Sequence, residues 1–395
     1  MQSVDRNEKM KKFISILTAL AIAFGIFTPF RLYFEGGQAL AILIPTVLIV
    51  IYDALFSYRS FWPVAAYVGA SFVIMVTGSK YFTIPGLIQI VFAYACFEHF
   101  IKTRDYEFAK IVIFTTYAAL LLMVFTSIPL FISMPNLSRL MIDAEENGIT
   151  QPILYWTISY PTIHALPVYS IPLYYLLRFF ENRFVRLFLM ISILAIFTVM
   201  LFADSTGALI VNIIIFAIML VYNKNRSLRA NIGRLAVLGL AMLAFLDKKM
   251  MISFLSMVQP LFIGSSTYKK IDEMKWMFMG QNAGGDIGAR EEKINISLDS
   301  FFANPLFPEY NMEKIGQHNF LFDQIVAMGL IPGIFFIWFL VDRIKRPIKY
   351  LSNVIKPYYL LGIFAMLVMG GFKNFFLLLP ACVILPMLMI VTERN

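Results

Sequence analysis

The sequence predicts an all-α integral membrane protein of about twelve transmembrane helices with a large helical loop on one side. Three observations lead there. Of 395 residues, 59% are hydrophobic and only 14% are charged, whereas soluble domains carry roughly 25% charged residues. Mean hydropathy is +0.75. Apolar runs of about 20 residues recur along the whole chain, and each is long enough to cross a hydrocarbon core as a helix.

The spans run roughly 13–34, 38–57, 61–79, 82–101, 109–133, 163–180, 187–203, 206–222, 234–246, 318–340, 357–372 and 375–391. Arg6, Lys9, Lys11 and Lys12 before the first span look like a signal-peptide n-region. No small-residue cleavage site follows, so the span is read as retained. The ninth span is short and extends to about Leu255 at most. Spans seven and eight are separated only by Asp204-Ser205, a tight hairpin. The two cysteines, Cys96 and Cys382, both fall inside apolar runs and read as small buried hydrophobes.

Basic residues orient the chain. With the N-terminus inside, roughly 21 of the 33 Lys and Arg fall on the inner side, as the positive-inside rule requires. Both termini are then cytoplasmic. The net charge of +9 follows from this distribution and does not point to nucleic acid. Two outer segments are large, 134–161 and 247–317. The second reads as two helices. One is amphipathic around Tyr268, Ile271, Met274, Trp276 and Phe278. The other starts after Gly284-Gly285 with Asp286 as N-cap, stops at Asn304-Pro305, and shows an apolar face of Ile287, Ile294, Leu298 and Phe301/Phe302. The chain reads as one membrane domain over 1–395 with a cap built from its own loops.

The candidate chemistry sits in and after that long loop. Arg290 stands on the second loop helix, and His318-Asn319 opens the next span, with Gly329 and Gly333 inside it. A fixed guanidinium and a titratable imidazole at one membrane surface suit work on a lipid-linked anion. Asn319 reads equally well as an N-cap. Gly329 and Gly333 form a small-xxx-small step of the kind that packs helices. His164 and His99 read as ordinary helix-end residues. Asp204 either orients His318, binds a sugar or is a solvated turn. A proton- or sodium-coupled transporter or flippase would need ionisable groups near span centres, which are almost free of charge here.

The stretch Arg290…Ser297-Leu298…Asn304-Pro305-Leu306…His318-Asn319, followed by nine residues, Gly329 and Gly333, resembles the core of the O-antigen polymerase and O-antigen ligase superfamily of membrane glycosyltransferases. The motif covers about 50 residues; the topology of about twelve spans with a large outer loop, a GT-C-like arrangement, fits along the whole chain. Two positions differ. Ser205-Thr206-Gly207 stands where the family often has Ser-Arg-Gly, and Phe307-Pro308-Glu309-Tyr310 replaces a glycine-rich turn. The resemblance implies a bacterial inner-membrane enzyme with a periplasmic active site that polymerises undecaprenyl-diphosphate-linked repeat units. A ligase passing glycan to lipid A core is the alternative. It implies catalytic roles for His318 as base and Arg290 on the diphosphate, with substrate contacts from Asn319 and Asp204. The cation absent from the hairpin would come from Arg31, Arg139, Lys269, Lys270 or Lys373. No metal or other cofactor is expected. Partners would be the lipid-linked glycan, membrane lipid and a chain-length regulator.

The orientation is directly testable. In a variant lacking Cys96 and Cys382, Gly284→Cys should react with an impermeant thiol reagent on intact spheroplasts, and Asn223→Cys only after the membrane is opened. The reverse pattern would invert the topology.

Overall fold

A computed structural model describes residues 2–26, 37–134, 137, 156–203, 205–222, 248–262, 266–279, 285–373 and 378–394, with the backbone alone for 2–7, 37–38, 248, 261–262, 266–267, 270, 277–278, 285–291, 372 and 394. Among these residues the chain is helical, without a strand. The helices are α1 (Gln2–Ile26), α2 (Gly37–Tyr52), α3 (Phe61–Val76), α4 (Ile84–Thr103), α5 (Tyr106–Ser133), α6 (Tyr160–Phe179), α7 (Arg183–Phe202), α8 (Thr206–Val221), α9 (Lys248–Val258), α10 (Ser266–Met279), α11 (Gly285–Ala303), α12 (Phe320–Met328), α13 (Leu330–Ile348), α14 (Lys356–Phe372) and α15 (Leu385–Arg394). The expected ninth span, 234–246, lies outside the described residues, as does most of 134–161.

Three helices, α4, α5 and α7, are long and apolar enough to cross a membrane, and several shorter helices are apolar as well. Large apolar side chains point outward: Phe114, Leu194 and Ile334 are 75%, 62% and 62% exposed. Soluble monomers rarely present apolar surface so freely, and lipid is the solvent it suits.

Local chemistry sets the helix ends. The Thr83 hydroxyl accepts from the Gly86 amide at 3.3 Å, the Asp105 carboxylate from Phe108 at 2.9 Å, and Asn182 Oδ1 from Phe184 at 2.9 Å. Each satisfies an amide that the helix itself leaves unpaired. α6 packs against α7, α8 and α14; α1 packs against α2 and α5; α13 packs against α3.

One expected span is divided. The 318–340 run is not a single helix, because α12 stops at Met328 and α13 starts at Leu330. Gly329 between them has φ 71, a left-handed conformation that glycine tolerates and a side chain resists. α12 has nine residues, too short to cross a hydrocarbon core. α13 has 19 residues, about 28 Å of helix, and is the part long enough to span. The loop helix α11 ends before Asn304-Pro305 as expected but begins at Gly285, which puts Asp286 in its first turn and not at the cap.

The far end of α13 holds a buried ionic cluster. Arg346 grips the Glu98 carboxylate through Nε at 3.0 Å and Nη2 at 2.8 Å, and Arg343 Nη1 approaches it at 3.5 Å. Arg343 also lies over the Tyr94 ring, 4.8 Å from its centroid. Nearby, His99 Nδ1 contacts Asp53 Oδ2 at 2.6 Å, and Lys102 donates to the Asp53 carbonyl. Paired in this way, the charges can stay inside an apolar bundle. His99 is therefore packed into the bundle with an acidic partner, consistent with its structural reading.

Glu98→Ala should destabilise the protein by about 1–3 kcal/mol, because Arg346 loses its carboxylate and Arg343 keeps only that of Asp342. Thermal unfolding of the purified variant in detergent measures this. Wild-type stability would show that the cluster carries little of the fold.

Candidate functional site

α11 presents a polar stripe to the segment that follows it. Lys293, Ser297 and Ser300 recur at helical spacing, and each meets residues 309–323. The Lys293 ammonium lies 3.4 Å from His318 Nε2. The Ser297 hydroxyl donates to Asp323 Oδ1 at 2.7 Å. The Ser300 hydroxyl donates to the Glu309 carboxylate at 3.1 Å. Arg290 lies three residues before Lys293 on the same helix, so the backbone register places it on this stripe. The expected apolar face is split: Ile294 and Phe302 are 36% and 74% exposed, while Phe301 packs on the Phe322 ring at 5.7 Å. The serines face inward because a partner carboxylate waits for each.

The turn carrying His318 is fastened at several points. Asp323 is buried, and its Oδ2 accepts from the Asn319 amide at 2.9 Å while Oδ1 takes Ser297. Burial pushes the Asp323 carboxyl above the usual carboxylate range. Hydrogen bonds from Ser297 and from the backbone amides of Asn319 and His318 pull it back. Ser297 serves twice, since its oxygen also accepts from the Gly316 amide at 2.8 Å. Gly316 presses on α11 so closely that a Cβ would lie 1.9 Å from the Lys293 carbonyl oxygen. On the other flank of α12, the Tyr67 hydroxyl donates to Gln324 Oε1 at 2.8 Å.

The break after α12 is built from the Asn304-Pro305-Leu306 step. The Leu330 amide donates to the Pro305 carbonyl at 2.8 Å and the Ile331 amide to Leu306 at 3.3 Å, which occupies two free amides at the start of α13. A Cβ on Gly329 would sit 2.5 Å from the Phe307 carbonyl carbon. Gly329 is therefore a junction residue and not one half of a packing step. A Cβ on Gly333 would meet nothing within 4 Å, so no neighbour in the chain requires a glycine there. In place of a glycine-rich turn, Glu309 braces the loop, its carboxylate accepting from the Asn311 amide at 2.9 Å and its own amide donating to Val326 at 3.3 Å.

Asn319 is the N-cap of α12, with Oδ1 accepting from the Phe322 amide at 3.1 Å. Its side-chain oxygen is thereby committed to structure. Lys373, at the end of α14, is buried; its ammonium donates to the Tyr160 hydroxyl at 3.1 Å, and its carbonyl accepts from the Phe320 amide at 3.1 Å. That backbone bond places Lys373 beside the His318 turn. Tyr160 also stands edge-on to the buried His164 at 4.4 Å, and His164 Nδ1 meets Ser205 Oγ at 3.2 Å. A second polar group, Lys373–Tyr160–His164–Ser205, thus adjoins the first. Arg31, Arg139 and Asp204 lie outside the described residues. A cavity of about 690 Å³ beside Arg178 and Phe216 opens at the opposite end of α6 from Tyr160 and takes no part in this group.

His318, Asn319 and Lys373 are thus brought together, and the helix of Arg290 is clamped against them. Lys293 and Asp323 are the site members that the sequence reading passed over, and Ser297 stood in the resembling stretch without a role. The one available signal was the spacing of Lys293 and Ser297 from Arg290. No protein-family model matches this chain, and a search of curated proteins found no match.

Gly329→Ala should destabilise the protein by about 2 kcal/mol or more through left-handed strain and the Phe307 contact. Gly333→Ala should stay within about 0.5 kcal/mol of wild type. Unfolding of both variants in detergent tests the pair, and equal effects would refute the junction role.

Proposed function

We propose that this protein is a metal-independent glycosyltransferase that polymerises undecaprenyl-diphosphate-linked repeat units of a bacterial surface polysaccharide at the periplasmic face of the inner membrane. About twelve spans with both ends cytoplasmic and a GT-C-like arrangement belong to this proposal. The observation that carries it is the convergence of the resembling segments. The Arg290 helix, the Asn304-Pro305-Leu306 step, the His318-Asn319 turn and Gly329 follow one another within about 40 residues, and hydrogen bonds between them fold this stretch into one unit.

The chemistry assigns a role to each group. The acceptor sugar hydroxyl attacks the anomeric carbon of the donor glycan, and the bond from that carbon to the undecaprenyl diphosphate oxygen breaks. His318 takes the hydroxyl proton, a contribution of about 10²–10⁴ in rate. Arg290 binds the departing diphosphate through its planar fork, where neutralising charge matters more than protonation. Lys373 is the described candidate best placed to add a second cation, since its backbone is bonded to the His318 turn. A ligase would use the same groups on a different acceptor.

His318→Ala should reduce polymer formation about 10²-fold or more while the protein still inserts in the membrane. Arg290→Lys should fail to restore activity, because lysine keeps the charge and loses the fork. Polymer on a gel from stably expressed variants reads both. Near-normal polymer from His318→Ala would refute the base assignment. Activity should also persist in EDTA; loss that a divalent ion restores would contradict the cation-only account.

A further inference from the structure

His318 faces a cation that the proposed reaction does not yet use. The Lys293 ammonium is 3.4 Å from Nε2. An ammonium is only a donor, so this contact is a hydrogen bond only when the ring is neutral with its proton on Nδ1. We propose that Lys293 is a positioning residue that keeps His318 in this neutral form with Nε2 as the accepting atom. The inference rests on the reading of His318 as the base.

The charged residues on the elements packed against the His318 turn come from three helices. From α11 there is Lys293, with Arg290 one turn earlier on the same stripe. From α12 there is the Asp323 carboxylate, whose two oxygens take the Ser297 hydroxyl and the Asn319 amide. From the end of α14 there is Lys373, whose ammonium is held on Tyr160. Lys293 touches the ring itself, and a positive charge within about 4 Å disfavours a second one on the imidazole. The contact is longer than a strong hydrogen bond, so an acceptor hydroxyl can displace it while the charge stays close. Lys293 is exposed, so replacing it removes little packing.

The test follows the ring chemically, without turnover. Diethyl pyrocarbonate reacts with unprotonated imidazole, and the chain has only three histidines, of which His99 and His164 are fully buried. Carbethoxylation of His318 in the purified protein, read by mass spectrometry between about pH 5 and 8, gives the midpoint of its titration. In Lys293→Met the midpoint should rise by about one pH unit, so that below both midpoints the variant reacts about tenfold more slowly. Lys293→Arg should stay near wild type, and the acid limb of polymer formation should move with the midpoint. An unchanged midpoint in Lys293→Met overturns the proposal. Polymer formation by His318→Ala would instead remove the base reading and leave the titration result standing, so the two failures are distinguishable.

Discussion

The candidate site depends on a single buried carboxylate. Asp323 joins two segments that the chain separates by a long loop: its oxygens take the Ser297 hydroxyl from α11 and the Asn319 amide at the start of α12. Hydrogen bonds to a charged acceptor contribute about 1.5–3 kcal/mol each. Without Asp323, the buried Ser297 hydroxyl and the Asn319 amide would lose their shared acceptor, and α11 and α12 would keep the Phe301–Phe322 contact without this polar link. Gly316 and Gly329 let the backbones approach closely enough for this clasp to form.

α13 separates two polar regions of different character. Its start adjoins the clasp, where Lys293 meets His318, and the group in which Lys373 meets Tyr160 and Tyr160 meets His164. Its far end, about 20 Å along the helix from Leu330 to Arg343, locks two arginines onto Glu98. There the ions satisfy each other and serve the fold. At the start, His318 is partly exposed and Lys293 is exposed.

Much of this arrangement was legible in the sequence, for identifiable reasons. Proline after Asn304 cannot continue a helix, so the end of α11 was readable. Asn319 before an apolar run reads as a cap, and caps in that way. The break at Gly329 was hidden, because apolar residues continue through it and hydropathy does not register a change of direction. Asp323 and Gln324 were absorbed into the same run, though one binds Ser297 and the other Tyr67. The buried stripe of α11 was not legible from its own residues. Its serines are buried because they have acceptors across the interface, a fact no single helix carries.

The central claim is that this unit elongates glycan on a lipid diphosphate. The direct measurement uses lipid-linked repeat units extracted from cells in which the gene has been deleted, mixed with the purified protein in liposomes. The account predicts a ladder of lipid-linked products spaced by one repeat unit, formed without any other enzyme. Repeat units that remain single, with a folded protein present and the donor accessible, would contradict it.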